Sequence, residues 1–298
     1  MKKIFLLAAA VCAAFNVNAL QVLQVDTIFT DDFSSLVENR YTFTSPGDKI
    51  SVTDGSLKMS CPKNSTSAQN IAVADYGQET INLNAMEVDS IVWTFCMRNA
   101  YGKTTDVLSG FDSGKRGIAT MLIADGADLT KANGYAVAMG GNSALQYRLV
   151  KVTGGLEVNS HLTDVIAGQI NESAKYYQTF RIVYIPATNT WKMEEAHNSS
   201  AFVAPAAVET WTADGTDIDD TFVDTPLKYF GFYQNYAGKA DFNVYFAHFT
   251  LATYKMVEEQ PTALDNTQSE KHCIKTIENG QIIVIRDGVK YSVLGSAL

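Results

Sequence analysis

The feature that most constrains the fold of this chain is the stretch 133–195. In it, three apolar blocks alternate with a period of two between turn residues. NGYAVAMGG sets Tyr135, Val137 and Met139 on one side, and ALQYRLVKVTGG sets Leu145, Tyr147 and Leu149 against Gln146, Arg148 and Val150. YYQTFRIVYIPATNTWKMEE sets Phe180, Ile182 and Tyr184 against Arg181 and Val183. A two-residue repeat turns successive side chains to opposite faces, so it marks half-buried antiparallel strands.

The same signature recurs on both flanks. VTDGSLKMS centres a hairpin on Asp54-Gly55, because both turn positions of a tight hairpin need positive φ. In IVWTFCMR, Trp93, Phe95 and Met97 share a face, and KYFGFYQNY and DFNVYFAHFTLATY supply closing strands. The polar stretches 99–115, 126–133 and 198–224 read as loops, and no segment beyond residue 19 carries helical periodicity. A chain of 298 residues with 46% hydrophobic content can bury one all-β core of this extent. The expected fold is therefore all-β: an antiparallel two-sheet sandwich over 27–254, with Trp93, Phe95, Ile182, Phe230 and Phe232 between the sheets.

The ends read differently. Lys2 and Lys3, the apolar run 4–15 and Val17-Asn18-Ala19 have the order of a secretory signal peptide over 1–19. That run is too short to span a bilayer. At the other end, 255–272 is a polar linker carrying Pro261. Over 273–298, Asn279-Gly280 and Asp287-Gly288 bracket an apolar strand, which predicts a small β-meander.

Charge narrows the partners. With 23 basic against 32 acidic residues the formal net charge is −9, and losing Lys2 and Lys3 makes it more negative. Such a surface repels phosphate backbones and anionic lipid, which argues against nucleic acid and membrane insertion. Cys61, Cys96 and Cys273 follow the leader, an odd number. Cys61 and Cys96 sit in strand-like segments, and the two readings are a disulfide in an oxidising compartment or a pair of buried thiols. No Cys-x-x-Cys occurs and the four His are scattered, so a zinc site is not expected.

Chemistry-bearing patterns are sparse. Glu194 and Glu195 are adjacent, and adjacent strand residues face opposite ways, so they do not form a glycosidase dyad. No catalytic residue is assigned. Asp214, Asp217, Asp219 and Asp220 crowd one polar stretch, which makes them candidate calcium ligands or, alternatively, turn-forming Asx residues. Asp125 and Asp128 form a second, smaller pair of this kind, and no other cofactor is indicated. Aromatic faces stack on the apolar faces of sugar rings. If Phe230 and Phe232 are core, Tyr229 and Tyr233 look outward, and Tyr147, Trp191 and Trp211 could extend a platform with them; core or edge packing is the other reading.

Two resemblances add to this. The opening FTDDFSS, VTDGSLKMS, GYAVAMGG with YRLVKVTGG, FRIVYIPATNTWKM and the closing YFGFY resemble the concanavalin A-like, laminin-G-like jelly rolls of secreted Bacteroidetes-type proteins. This resemblance implies two packed sheets and, commonly, binding of a polysaccharide, a surface glycan or a protein. ENGQIIVIRDGVKYSVLGSAL resembles the C-terminal sorting domains of the type IX secretion system. It implies passage through the periplasm to the cell surface or medium by that machinery. The expected function is a secreted or cell-surface, non-catalytic sandwich that binds a glycan or another surface component; a glycan-cleaving jelly-roll hydrolase or lyase with an unrecognised site, and a structural or adhesive module with protein partners, are the alternatives.

Overall fold

The structure, a computed structural model, describes residues 4–5, 20–35, 40–45, 49–61, 66, 68–77, 80–99, 110–140, 146–168, 177–237, 243–259, 273–278, 281–286 and 289–292. Most of the leader, and 260–272 of the linker, lie outside these. The chain divides into two compact units, Val22–Val257 with Met1–Ala10, and Glu258–Leu298 with Val11–Gln21.

In chain order the strands are β1 (Ile4–Phe5), β2 (Leu20–Asp31), β3 (Thr42–Thr44), β4 (Ile50–Thr53), β5 (Ser56–Met59), β6 (Ala68–Asp75), β7 (Ser90–Asn99) and β8 (Gly117–Ala124). There follow β9 (Gly134–Met139), β10 (Tyr147–Val152), β11 (Leu162–Ile166), β12 (Tyr177–Ile185), β13 (Thr190–Asn198), β14 (Thr212–Ile218), β15 (Tyr229–Tyr236) and β16 (Val244–Glu259). One sheet has the order β1-β2-β16-β7-β12-β13-β14, with the β4–β5 hairpin added beside β16; the other runs β11-β10-β9-β8-β15-β6-β3. This is an antiparallel two-sheet jelly-roll sandwich. The second unit carries the expected meander, β17 (Cys273–Glu278), β18 (Gln281–Arg286) and β19 (Val289–Ser292). The described helical residues form only three short 3₁₀ turns, and no described helix is long and apolar enough to cross a membrane.

Local sequence dictates the hairpins. Asp54 and Gly55 both take positive φ (50° and 68°) between β4 and β5, as a tight turn between twisted strands requires. Between β12 and β13, Pro186 opens a 3₁₀ turn and Asn189 closes it in the left-handed region. The core forms from the inward residues of both sheets. Trp93, Phe95, Ile182, Phe230 and Phe232 are all fully buried there, as expected. Phe230 and Phe249 stack across the layer at 4.6 Å, and fully burying one such ring stabilises by about 1.5–3 kcal/mol.

Three expectations need correction or extension. Strand β14 lies inside 198–224, which the sequence reads as loop; TADGTDI is an edge strand, polar on both faces, and so carries no apolar period. Strand β16 runs to Glu259, five residues into the expected linker. Cys61 and Cys96 are not bridged, and both are buried thiols. Cys61 belongs to the core between the sheets. Cys96, one residue out of phase with Phe95 and Met97, points to the other side, 3.5 Å from the Val203 carbonyl. Burial pushes its thiol pKa up to about 12, so it is neutral and unreactive.

A second apolar cluster covers the outer face of the seven-stranded sheet. Phe111, Leu129, Ala132 and Leu156, from the segments between strands, fold over Ile71, Met121, Ala136 and Tyr233. The cover is pinned where Leu156 donates to the Leu129 carbonyl at 2.9 Å. Here Gly155 is obligatory: its φ is 96°, and a Cβ would lie 1.9 Å from the Thr130 carbonyl oxygen.

Candidate functional site

Of the two readings of the aromatic residues, an outward platform and core packing, the structure gives core packing for Tyr147 and Trp191, and no surface platform joins them to Tyr229 and Tyr233. Tyr233 does face away from Phe230 and Phe232, but it is fully buried under Phe111, whose ring lies 5.9 Å away. Tyr229 is half-buried against the same cover. Tyr147 is in the core, edge-on to Phe180 at 4.9 Å. Trp191 is at zero exposure, packed against Trp93, Tyr135 and Tyr184, with its indole N–H donating to the Asp219 carbonyl at 3.1 Å. Desolvation raises the hydroxyl pKa of Tyr147, and likewise of Tyr233, so both stay neutral.

The acidic residues are not gathered into a metal cage either. Among the described residues, no three His, Cys, Asp or Glu side chains come together as ligands. Asp214 and Asp217 lie on the edge strand β14, and Asp220 is exposed in the turn beyond it. Asp219 is a structural hub: it accepts hydrogen bonds from Tyr135 Oη at 2.7 Å, Lys151 Nζ at 2.9 Å and the Thr221 amide at 3.0 Å. Burial opposes its charge, but the bonds from Lys151, Thr221 and Tyr135 outweigh this and hold the carboxyl below its ordinary pKa. Asp125 grips Asn133 with both oxygens, and Asp128 caps Thr130 and pairs with Lys131. Glu194 is paired with Arg181, while Glu195 is buried on the opposite face, so the two carboxylates do not share a cleft.

The recess that combines half-exposed rings with polar side chains lies on the outer face of the nine-stranded sheet. Its floor is built from the residues out of phase with the core: Val92, Thr94 and Arg98 on β7, Tyr177 and Arg181 on β12, and Tyr245, Thr250 and Tyr254 on β16. The register places Arg98 opposite Tyr245 and Thr94 between Arg181 and Thr250. The segment 199–211 walls one side; it is pinned by Thr179 Oγ1 donating to the Val203 carbonyl at 2.9 Å. It contributes Phe202 and Trp211, both half-buried. Asp31 and Asp32 edge the recess beside the Asp54-Gly55 turn, where a Cβ on Gly55 would lie 3.8 Å from the Asp32 carbonyl oxygen.

His248 divides this recess into two hollows and lines both. The ladder between β16 and β7 skips at this point, with His248 and Phe249 placed against Phe95 alone. His248 takes φ 52°, an uncommon conformation for a non-glycine residue, while Phe249 drops into the core. A bulge of this kind re-aims a side chain out of the sheet, and such strain concentrates at functional positions.

The hollows differ in charge. The first, of about 360 Å³, holds Trp211, Tyr254, Arg181, Asp31 and Asp32. Its charges are largely internally matched: Arg181 pairs with Glu194 and lies 4.7 Å from the Trp211 ring centre, and Asp31 pairs with Arg40 and accepts from Tyr41. A hydrogen bond from the Ser34 amide is the main reason that Asp32 keeps a lowered carboxyl pKa. The second, of about 460 Å³, holds Arg98, Tyr177, Phe202 and Tyr245. Arg98 donates to Tyr177 Oη at 2.7 Å and lies against its ring at 4.0 Å, and Phe202 meets Tyr177 edge-on at 4.9 Å. A further hollow near Gln69, Asp112 and Asn235 is satisfied within itself, through Gln69 to Glu157, Asp112 to Asn159 and Asn235 to the Phe111 carbonyl.

Of the residues in this recess, only Trp211 is anticipated from the sequence. The outward phase of Arg98 and Tyr245 is legible from their neighbours Met97 and Phe246. That 199–211 leaves them in an open trough is not.

No protein-family model matches the sequence, and no curated protein is similar to it in sequence. Solved structures do share its fold. The winged bean acidic lectin in complex with methyl-α-D-galactose aligns with a TM-score of 0.51 at 10% identity, over 78% of this chain and 100% of the lectin. Lectin I of Ulex europaeus, in complex with the methyl glycoside of α-L-fucose, aligns with a TM-score of 0.50 at 15% identity, over 77% and 98%. The CBM2 module of the evolved Dit of Lactobacillus casei BL23 phage J-1 aligns with a TM-score of 0.51 at 8% identity, over 80% and 99%. The chain is therefore similar in fold to legume lectins: it is a concanavalin A-like jelly roll.

Proposed function

We propose that this chain is an exported, non-catalytic module that binds a glycan in the outer recess of its nine-stranded sheet. The observation that carries this reading is the set of half-exposed rings, Trp211, Tyr254, Tyr177 and Tyr245, interleaved with guanidinium, hydroxyl and carboxylate groups around His248. Rings that meet the apolar faces of a sugar, beside groups that bond its hydroxyls, are what saccharide recognition needs. Two fold relatives whose structures hold simple glycosides support it. Calcium is not required by this reading.

Replacing Trp211 with alanine should weaken binding to whichever oligosaccharide a glycan array selects by about tenfold, as expected for one lost stacking contact of about 1.4 kcal/mol. Isothermal titration calorimetry is the measurement, with folding checked by circular dichroism. Unchanged affinity in both Trp211→Ala and Tyr245→Ala would remove the recess from the reading, and release of reducing ends or unsaturated products would replace binding with catalysis.

The address is part of the same proposal: residues 1–19 direct export and 273–298 act as the sorting signal for type IX machinery. Two tight-turn dipeptides and a separate three-stranded sheet support a locally folded tail. Deleting 273–298 in a host that carries that machinery should strand the protein in the periplasm. Normal surface display of the truncated chain would end this part of the reading.

A further inference from the structure

The second hollow differs from the first in one respect: among the described residues its arginine forms no ion pair. Among the described residues Arg98 has no carboxylate within ion-pair distance, whereas Arg181 in the first hollow is neutralised by Glu194. Among the described lining residues the carboxylate is Asp54, at the exposed tip of the β4–β5 turn, and it forms no ion pair with Arg98; Asp32 adjoins the same turn, at the shared rim by His248. Lys58, on β5 outside the lining of the hollow, lies 5.9 Å from the Tyr245 ring. Arg98 Nε is moreover buried without a hydrogen-bond partner. The guanidinium is held between Tyr177, at 4.0 Å, and Tyr245, at 5.8 Å, which fixes the planar fork before anything binds.

We infer that the hollow around Arg98 is a subsite for a negatively charged sugar, one bearing a carboxylate or a sulfate ester. The inference rests on the glycan-binding reading and names its ligand class. A planar guanidinium fork matches a two-oxygen anion, and His248, at the rim shared with the first hollow, lets one chain cross from the charged subsite to the ring of Trp211. An overall acidic surface is compatible with this, because screening at physiological salt confines the charge of distant groups to within about 8 Å.

The test titrates the full-length protein with oligogalacturonate, with the same oligomer after carboxyl reduction, and with a sulfated galactan oligosaccharide. Wild type should bind one of the charged ligands at least tenfold more tightly than the reduced one, and the gain should shrink between 50 mM and 500 mM salt, values chosen at roughly the low and high ends of useful screening. Preference between uronate and sulfated ligand identifies the anion. Arg98→Gln should erase the difference between charged and reduced oligomers, and Arg98→Lys should keep part of it. Because Arg98 also packs against Tyr177, the salt series and the reduced ligand test the inference without any variant. Equal affinity for charged and neutral oligomers, with Trp211→Ala still weakening both about tenfold, overturns this inference and leaves the glycan-binding reading intact. Absence of binding to every oligosaccharide, neutral or charged, overturns both.

Discussion

Trp191→Ala should destabilise the sandwich by about 3–5 kcal/mol, the cost typical of truncating a fully buried tryptophan, and should leave saccharide affinity of the folded protein unchanged. The physical reason is the position of the indole. It has zero exposure and stands against Trp93 at 5.8 Å, Tyr135 at 4.4 Å and Tyr184 at 4.8 Å. Its N–H also closes the chain after β14 by donating to the Asp219 carbonyl. Truncation therefore removes apolar burial, opens a cavity among three rings and leaves a carbonyl unbonded. Urea unfolding followed by Tyr and Trp fluorescence gives the stability difference, and Trp191→Phe, which refills most of the cavity, should recover part of it. If Trp191→Phe folds normally yet loses sugar binding, the indole belongs to a recognition surface after all.

Asp219→Asn is expected to cost about 2–3 kcal/mol at pH 7, because it withdraws a carboxylate that accepts charge-assisted hydrogen bonds and leaves Lys151 without its partner. The pH dependence carries a definite sign. The folded-state pKa of Asp219 lies below its ordinary value of 3.8, so its contribution is complete above the unfolded value and is lost as pH falls through the folded one. Wild type and Asp219→Asn should therefore differ most near neutrality and begin to converge below about pH 4, closing fully only below the folded-state pKa. Denaturant unfolding at pH 7 and at pH 3 decides it. A difference of equal size at both values would mean that the carboxylate's charge contributes nothing and that only its shape is used. The same experiment bears on calcium: a hub that already accepts from Tyr135, Lys151 and Thr221 has no oxygen idle, so chelator should leave the melting temperature of wild type where it was.

The recess and the tail differ in how far the residues around them could be read in advance. On β7 the phase of Trp93, Phe95 and Met97 turns Arg98 outward, and on β16 that of Val244 and Phe246 does the same for Tyr245. The phase of Phe230 and Phe232 likewise turns Tyr233 outward, and from sequence alone Tyr233 and Tyr245 have equal standing as platform residues. They part company because Phe111, Leu129 and Leu156, distant in sequence, close over one sheet, while 199–211 leaves a trough on the other.

What the sequence determined by itself is the local and periodic part of this protein. The two-residue alternation specifies antiparallel strands and which residues face inward, and Asp54-Gly55 and Asn189 specify hairpins, since backbone sterics act within a few residues. What only the tertiary structure decided is everything that depends on what covers an outward face. The burial of Tyr147, Trp191 and Tyr233, the separation of Cys61 from Cys96 by the thickness of a sheet, the edge strand β14 and the recruitment of Asp219 by Lys151 all arise from contacts between residues far apart in the chain. Alternation tells a side chain which way to point, but burial is a property of what arrives from elsewhere, and no local pattern encodes that arrival.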